Sequence, residues 1–219
     1  MLKNAMKMNL EDLWPFLVAE GGVFLVYELI EAILLLAVKP DTSGAICGVV
    51  LLAVGVMMNL FAGCGYPLIN VDLLLRYSVT RRTALWATLG SMALNVTASM
   101  AFAALLGWVD GLIARAWVNT LPWVVDVESV TLPLWAYFAA GLGVVCVALG
   151  VGSLLLRFGR KAFWITWGLW MVLAVGLNMM DWHALNNLNA SVVAAAAAAA
   201  CLGSLLGGSA LILRANVKN

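Results

Sequence analysis

A chain of 219 residues with 64% hydrophobic and 11% charged residues, a formal net charge of +1 and a mean hydropathy of +1.02 carries too much apolar surface for a water-soluble domain, where about a quarter of residues are charged. Lipid is the solvent this composition implies, and the near-zero net charge leaves no basic patch to suggest a nucleic-acid partner. The four cysteines, Cys47, Cys64, Cys146 and Cys201, all lie in apolar runs with no C-x-x-C spacing, which argues for small apolar side chains rather than a disulfide framework or a thiolate metal site.

Residues 1–14 place Leu2, Ala5, Met6, Leu10 and Leu13 on one side of a helix and Lys3, Asn4, Lys7 and Glu11 on the other. That pattern suits a helix lying on a cytoplasmic membrane surface, an ordinary loop being the plainer alternative. Six stretches then reach the ~20 mostly apolar residues needed to cross ~30 Å of hydrocarbon: 16–38, 45–67, 84–106, 134–156, 162–180 and 191–213. Pro15, Pro40, Pro67, Pro122 and Pro133 fall at or between these stretches, where a missing backbone donor costs least. The fold class expected is an all-α integral membrane protein, with an interfacial helix at 1–15, a six-helix transmembrane domain at 16–213 and a tail at 214–219.

The first span carries three acids. Glu20 and Glu31 are eleven residues apart, close to three helical turns, and Glu28 lies within about 80° of their stripe. Acids in lipid face a cavity, a partner or an interface. A proton or cation relay, a polar lining for a translocated substrate, and a tilted helix meeting headgroups all remain open for Glu20, Glu28 and Glu31. Between the third and fourth spans, Val109, Leu112, Ile113, Ala116 and Trp117 repeat at helical spacing with Asp110, Arg115 and Asn119 turned away, which predicts a second surface-lying helix. His183 stands in the turn Met179-Met180-Asp181-Trp182-His183. Thioether and imidazole can bind copper, but a wet loop is the plainer reading and no metal site is assigned. The sixth span contains seven consecutive alanines, 194–200, then Gly203-x-x-x-Gly207 and Ser204-x-x-x-Gly208. Small residues of this kind pack helices closely in lipid, within one chain or between protomers.

Orientation follows from lysine and arginine. With both termini cytoplasmic, the inner segments hold ten of the twelve (Lys3, Lys7, Arg76, Arg81, Arg82, Arg157, Arg160, Lys161, Arg214 and Lys218) and the outer ones only Lys39 and Arg115. That bias is strong by the positive-inside rule. Trp108, Trp117, Trp123, Trp135 and Trp182 cluster towards the outer face, and Trp14, Trp86, Trp164 and Trp167 towards the inner one, as an aromatic belt requires. The chain has no G-x-x-x-x-G-K-[ST] phosphate loop, no H-E-x-x-H and no G-x-S-x-G, so neither catalytic residues nor a cofactor are expected on it.

The second inner segment reads Asp72-Leu73-Leu74-Leu75-Arg76-Tyr77-Ser78-Val79-Thr80-Arg81-Arg82-Thr83. It resembles the cytoplasmic loop of type-2 ATP-binding-cassette (ABC) exporter permeases, in which a short helix leads into a small-residue, basic turn. Leu155-Leu156-Arg157-Phe158-Gly159-Arg160-Lys161 is similar to that family's basic turn between spans four and five, and 211–218 to its C-terminal ending. The resemblance implies that Asp72, Leu73, Leu74, Leu75, Arg76 and Tyr77 form a coupling helix, held by Arg81 and Arg82, on a separate ATPase that carries ATP and magnesium. The implied partners are ABC ATPase subunits, a second permease copy or homologue and the lipid bilayer. The implied location is a bacterial cytoplasmic membrane. The chain departs from the family in its short outer segment between spans five and six, 181–190, which weakens any inference of a large outer gate. The competing expectation is an ion-gradient-driven transporter or channel built on the acids of the first span.

Overall fold

A computed structural model of the chain describes residues 13–76, 79–130, 132–179 and 190–214. The expected N-terminal surface helix, Tyr77 and the turn containing His183 lie outside the described residues. The elements, in chain order, are α1 (Leu13–Ala37), β1 (Thr42–Ala45), α2 (Cys47–Tyr66), a π-helical turn (Pro67–Val71), α3 (Asp72–Arg76), α4 (Arg81–Thr120), β2 (Asp126–Ser129), α5 (Leu134–Phe158), α6 (Arg160–Met179) and α7 (Ala190–Leu213).

Helices occupy all six apolar stretches, with ends within a few residues of the expected ones except in α4, which continues to Thr120. Among the described residues, four helical stretches are long and apolar enough to cross a membrane by length and composition: Cys47–Arg76, Arg81–Thr120, Leu134–Phe158 and Ala194–Leu213. Their lipid-compatible character shows in the surface. Leu25, Leu29, Phe61, Trp86, Leu105, Trp135, Leu142, Ile165, Val172 and Leu206 are all exposed, a distribution that water would penalise and hydrocarbon does not.

Two expectations need correction. The helix proposed to lie on the surface at 109–117 is the continuation of α4, an unbroken 40-residue helix. At 1.5 Å per residue it is about 60 Å long, roughly twice the hydrocarbon thickness. Its polar residue Asp110 does not turn away to solvent; it is 1% exposed. The second correction concerns the all-helical class. β1 and β2 pair in parallel, Thr42 opposite Asp126 through Ala45 opposite Ser129. The two strands are too short and too poor in alternating apolar residues to stand out in the sequence.

The chain packs as two compact units. The first comprises Met1–Leu60 and Gly90–Val144. Within it α2 and α4 approach so closely at Gly48 and Gly107 that a Cβ on Gly107 would lie 2.8 Å from the Gly48 Cα. Tyr137 of α5 closes this crossing by donating its hydroxyl to the Gly48 carbonyl at 3.1 Å. The end of α1 is fastened by Trp123, whose Nε1 donates to the Leu35 carbonyl at 3.1 Å. The Lys39 ammonium lies 5.0 Å from the same indole ring, a cation–π contact.

The second unit comprises Phe61–Leu89 and Val145–Asn219. Here the small-residue stripe of α7 is used within the chain. Ser204 donates to the Cys146 carbonyl at 2.7 Å, and a Cβ on Gly208 would sit 3.1 Å from the Leu149 carbonyl oxygen. A Cβ on Gly203 or Gly207 would meet none of the described residues within 4 Å, and the alanines 194–200 are exposed. Gly159 takes φ 60 after α5 and its N–H donates to the Leu155 carbonyl at 2.8 Å. This left-handed helix stop suits glycine.

Candidate functional site

The buried face of α1 consists of Glu20, Phe24, Glu31 and Leu35. Their spacings of four, seven and four residues follow the helical repeat of 3.6, so the acids turn inward with the apolar residues instead of towards lipid. Each acid meets polar groups supplied by other elements of the first unit.

Glu20 is fully buried. One of its oxygens accepts a hydrogen bond from the Ser99 hydroxyl of α4. Ser99 in turn accepts from Asn59 Nδ2 of α2 at 2.7 Å, and the same amide donates to the Gly55 carbonyl at 2.8 Å. Gly55 leaves room for this arrangement, since a Cβ there would lie 3.0 Å from Glu20 Oε1. The other oxygen, Oε2, is buried without a hydrogen-bond partner.

Eleven residues along α1, Glu31 Oε1 accepts from the Ser43 hydroxyl at 2.6 Å and the Gly44 N–H at 3.0 Å, both on β1. Eleven residues along α4 from Ser99, Asp110 Oδ2 accepts from the Cys47 N–H at 3.0 Å. Matching intervals on two helices, each about 16 Å long, bring Glu20 to Ser99 and Glu31 to the neighbourhood of Asp110. Ligand oxygens of Glu28, Glu31 and Asp110 all lie within 4.8 Å of one another. Tyr27 steadies the strand above by donating to the Gly44 carbonyl at 3.0 Å. A cavity of about 260 Å3 borders Glu31, Tyr27, Leu34, Pro40, Thr42 and Gly44.

The buried polar set contains carboxylates, hydroxyls and amides but, among the described side chains, no lysine or arginine. An unpaired buried carboxylate is costly, so groups of this kind take up a proton or a cation. The arrangement can therefore bind either. The expectation for Glu20, Glu28 and Glu31 narrows accordingly: Glu20 and Glu31 face the protein interior and Glu28 is half-buried beside them. Sequence reasoning missed Ser43, Ser99 and Asp110. Its usable signal was the repeated eleven-residue interval, Glu20 to Glu31 and Ser99 to Asp110.

The segment singled out by resemblance is built differently. Asp72 opens α3 and Arg76 closes it, each at the helix end that its charge favours, and they pair at 2.9 Å. Leu73, Leu74 and Leu75 are half-buried. Thr80 caps α4, its Oγ1 accepting from the Thr83 N–H at 3.3 Å. Arg81 and Arg82 then occupy the first turn of α4, where the helix dipole disfavours positive charge. Arg81 has a local use, since its Nη1 donates to the Leu213 carbonyl at the end of α7 at 3.3 Å. Arg82 is exposed.

No family model matches this chain, and neither does any curated protein or solved structure.

Proposed function

We propose that the chain is the membrane-spanning permease subunit of an ABC exporter. It crosses a bacterial cytoplasmic membrane six times, through α1, α2, α4, α5, α6 and α7, with both termini in the cytoplasm. Ten cytoplasmic Lys and Arg against two outside support that orientation. The observation that carries the functional reading is the Asp72–Arg76 helix with its capped basic turn. It forms a short, charged helix end with an exposed arginine, followed by Arg82 at a position where local helix energetics give it no reason to be. A docking surface for an acidic or hydrogen-bonding partner would supply that reason. Transport would then be driven by ATP hydrolysed on a separate ATPase subunit, with two permease copies or homologues forming the pathway.

Purification of the tagged chain from its own host in mild detergent tests the proposal. An ABC ATPase recovered in comparable amount supports it. Recovery of the chain alone, even after cross-linking from position 76, sinks it. Replacing Leu74 and Arg76 is expected to uncouple transport while leaving the protein folded.

A second reading is favoured by a different observation. The buried carboxylates of α1, with no lysine or arginine among the described buried side chains, suit an ion-gradient-driven transporter or channel. In proteoliposomes without ATP, that reading requires gradient-driven uptake that Glu28→Gln abolishes. Uptake only with ATP and the ATPase rejects it.

A further inference from the structure

The geometry points to a calcium-type divalent cation site formed by Glu28, Glu31 and Asp110 beneath β1. Three observations converge on it. The ligand oxygens of these residues, drawn from two helices, lie within 4.8 Å of one another. Calcium binds oxygen at about 2.3–2.6 Å, so ligands on opposite sides of the ion are separated by up to about 5 Å. Magnesium, at about 2.0–2.1 Å, needs a tighter set. An all-oxygen donor set also selects hard cations over copper or zinc.

The second observation is independent of the clustering. Asp110 is 1% exposed and Glu31 is 8% exposed, and each has an oxygen, Asp110 Oδ1 and Glu31 Oε2, that is buried with no hydrogen-bond partner. Glu28 Oε1 is in the same condition. Native interiors rarely leave polar atoms in this state unless a water or an ion completes them.

The third is preorganisation. The other oxygen of Glu31 is held by Ser43 and Gly44, and that of Asp110 by the Cys47 N–H. Backbone donors of this kind orient ligand carboxylates before the ion arrives. They also tie the site to the β1 strand, which the lysine and arginine count assigns to the outer side. The cavity bordering Glu31 offers a route of approach. Bound calcium would clamp the end of α1 to α4 and β1.

The test uses the full chain in lipid nanodiscs, stripped with a chelator, and reads binding without ATP, ATPase or ion gradient. Its outcome is therefore independent of either transport reading. Titration calorimetry with calcium chloride is expected to show one site per chain, with magnesium chloride binding more weakly. Calcium is also expected to raise the melting temperature. Asp110→Asn keeps an acceptor for the Cys47 N–H, and Glu28→Gln alters a half-buried residue that holds no backbone group. Each removes one ligand charge and is expected to weaken calcium roughly tenfold or more. Should Asp110→Asn fail to fold, Glu28→Gln decides alone. Absence of calcium binding to the wild-type chain overturns the proposal and leaves a proton as the cluster's occupant. Wild-type affinity in both variants overturns it equally.

Discussion

Asp72 and Asp110 both sit on helices among apolar neighbours, yet the chain treats them in opposite ways. The Asp72 side chain is 31% exposed and pairs with Arg76 one turn along the same helix at 2.9 Å. Asp110 is 1% exposed and meets a backbone N–H and two further carboxyl groups but no described basic side chain. The first arrangement is local and screened by water, and it contributes little to stability. The second joins residues 28, 31, 43, 44, 47 and 110 across several elements, in a setting where an unmet polar group is expensive. A charge that pairs on its own helix can belong to a surface. A charge that the fold carries inward without a partner charge must be met by something else.

The contrast predicts a ranking of mutational effects. Glu31→Ala is expected to be the most damaging, because it strands both the Ser43 hydroxyl and the Gly44 N–H. A buried donor and a half-buried one without an acceptor cost about 2–5 kcal/mol. Glu31→Gln, which retains a carbonyl acceptor, should recover more than half of that loss. Reversible unfolding in mixed micelles measures both. Equal stability of Glu31→Ala and wild type would show that the β1 contact contributes nothing.

Asp110 separates the charge of the cluster from its hydrogen bonds. Asp110→Ala removes the acceptor for the Cys47 N–H and should cost about 1–3 kcal/mol. Asp110→Asn keeps the acceptor and removes one ionisable group from a crowded set. In calcium-free buffer it should match or exceed wild-type stability, since like charges at this distance repel. The order Asn above Ala, with wild type close to Asn, is the expected result from the same unfolding measurement. If Asn and Ala fall together, the charge itself holds the site and the hydrogen bond does not.

Much of the fold could be read from the sequence, and the part that could not has a physical cause. Apolar runs of about 20 residues are required by hydrocarbon thickness, so the helices at Leu134–Phe158 and Ala190–Leu213 appear within two residues of their expected ends. The amphipathic pattern at 109–117 was real but ambiguous. A stripe that suits a membrane surface also suits a helix packing into a protein, and only tertiary contacts distinguish the two. Local pattern places Asp110 outward, as polar residues usually are. Its burial depends on Glu28 and Glu31 some 80 residues earlier, a distance over which local periodicity carries no information. Acids in an apolar helix point to a cavity, a partner or an interface, but no local pattern chooses their partners Ser43 and Ser99 from the other serines. The β1–β2 pairing joins strands more than 80 residues apart and left no local signature.

The network around Glu20 provides an intermediate test. Ser99→Ala removes the donor to Glu20 and the acceptor for Asn59 at once. The expected loss is about 1–3 kcal/mol, the cost of leaving buried polar groups unmet. Adding Glu20→Gln should not double that loss, because both changes act on one network. A double-mutant cycle reads the coupling directly. Strict additivity would mean that Glu20 and Ser99 do not depend on each other.

The smallest effect on stability is expected where the resemblance placed the function. Arg76→Ala breaks a pair whose arginine side chain is 63% exposed, and pairs of that kind on a helix contribute about 0.3–0.5 kcal/mol. The unfolding midpoint should therefore barely move. If the Asp72–Arg76 helix docks on a motor, the same change should lower ATPase recovery and ATP-dependent transport well beyond what so small a change in stability can produce. The charge-swapped pair, Asp72→Arg with Arg76→Asp, sharpens the point. It restores the intrahelical attraction but opposes the helix dipole, so it should be slightly less stable than wild type and present the wrong charge order to a partner. Transport that recovers in the swap would assign α3 a purely local structural role. Transport that stays low while the fold is intact would assign its charges to the partner, and would complete the contrast with Asp110, whose charge is held for the interior.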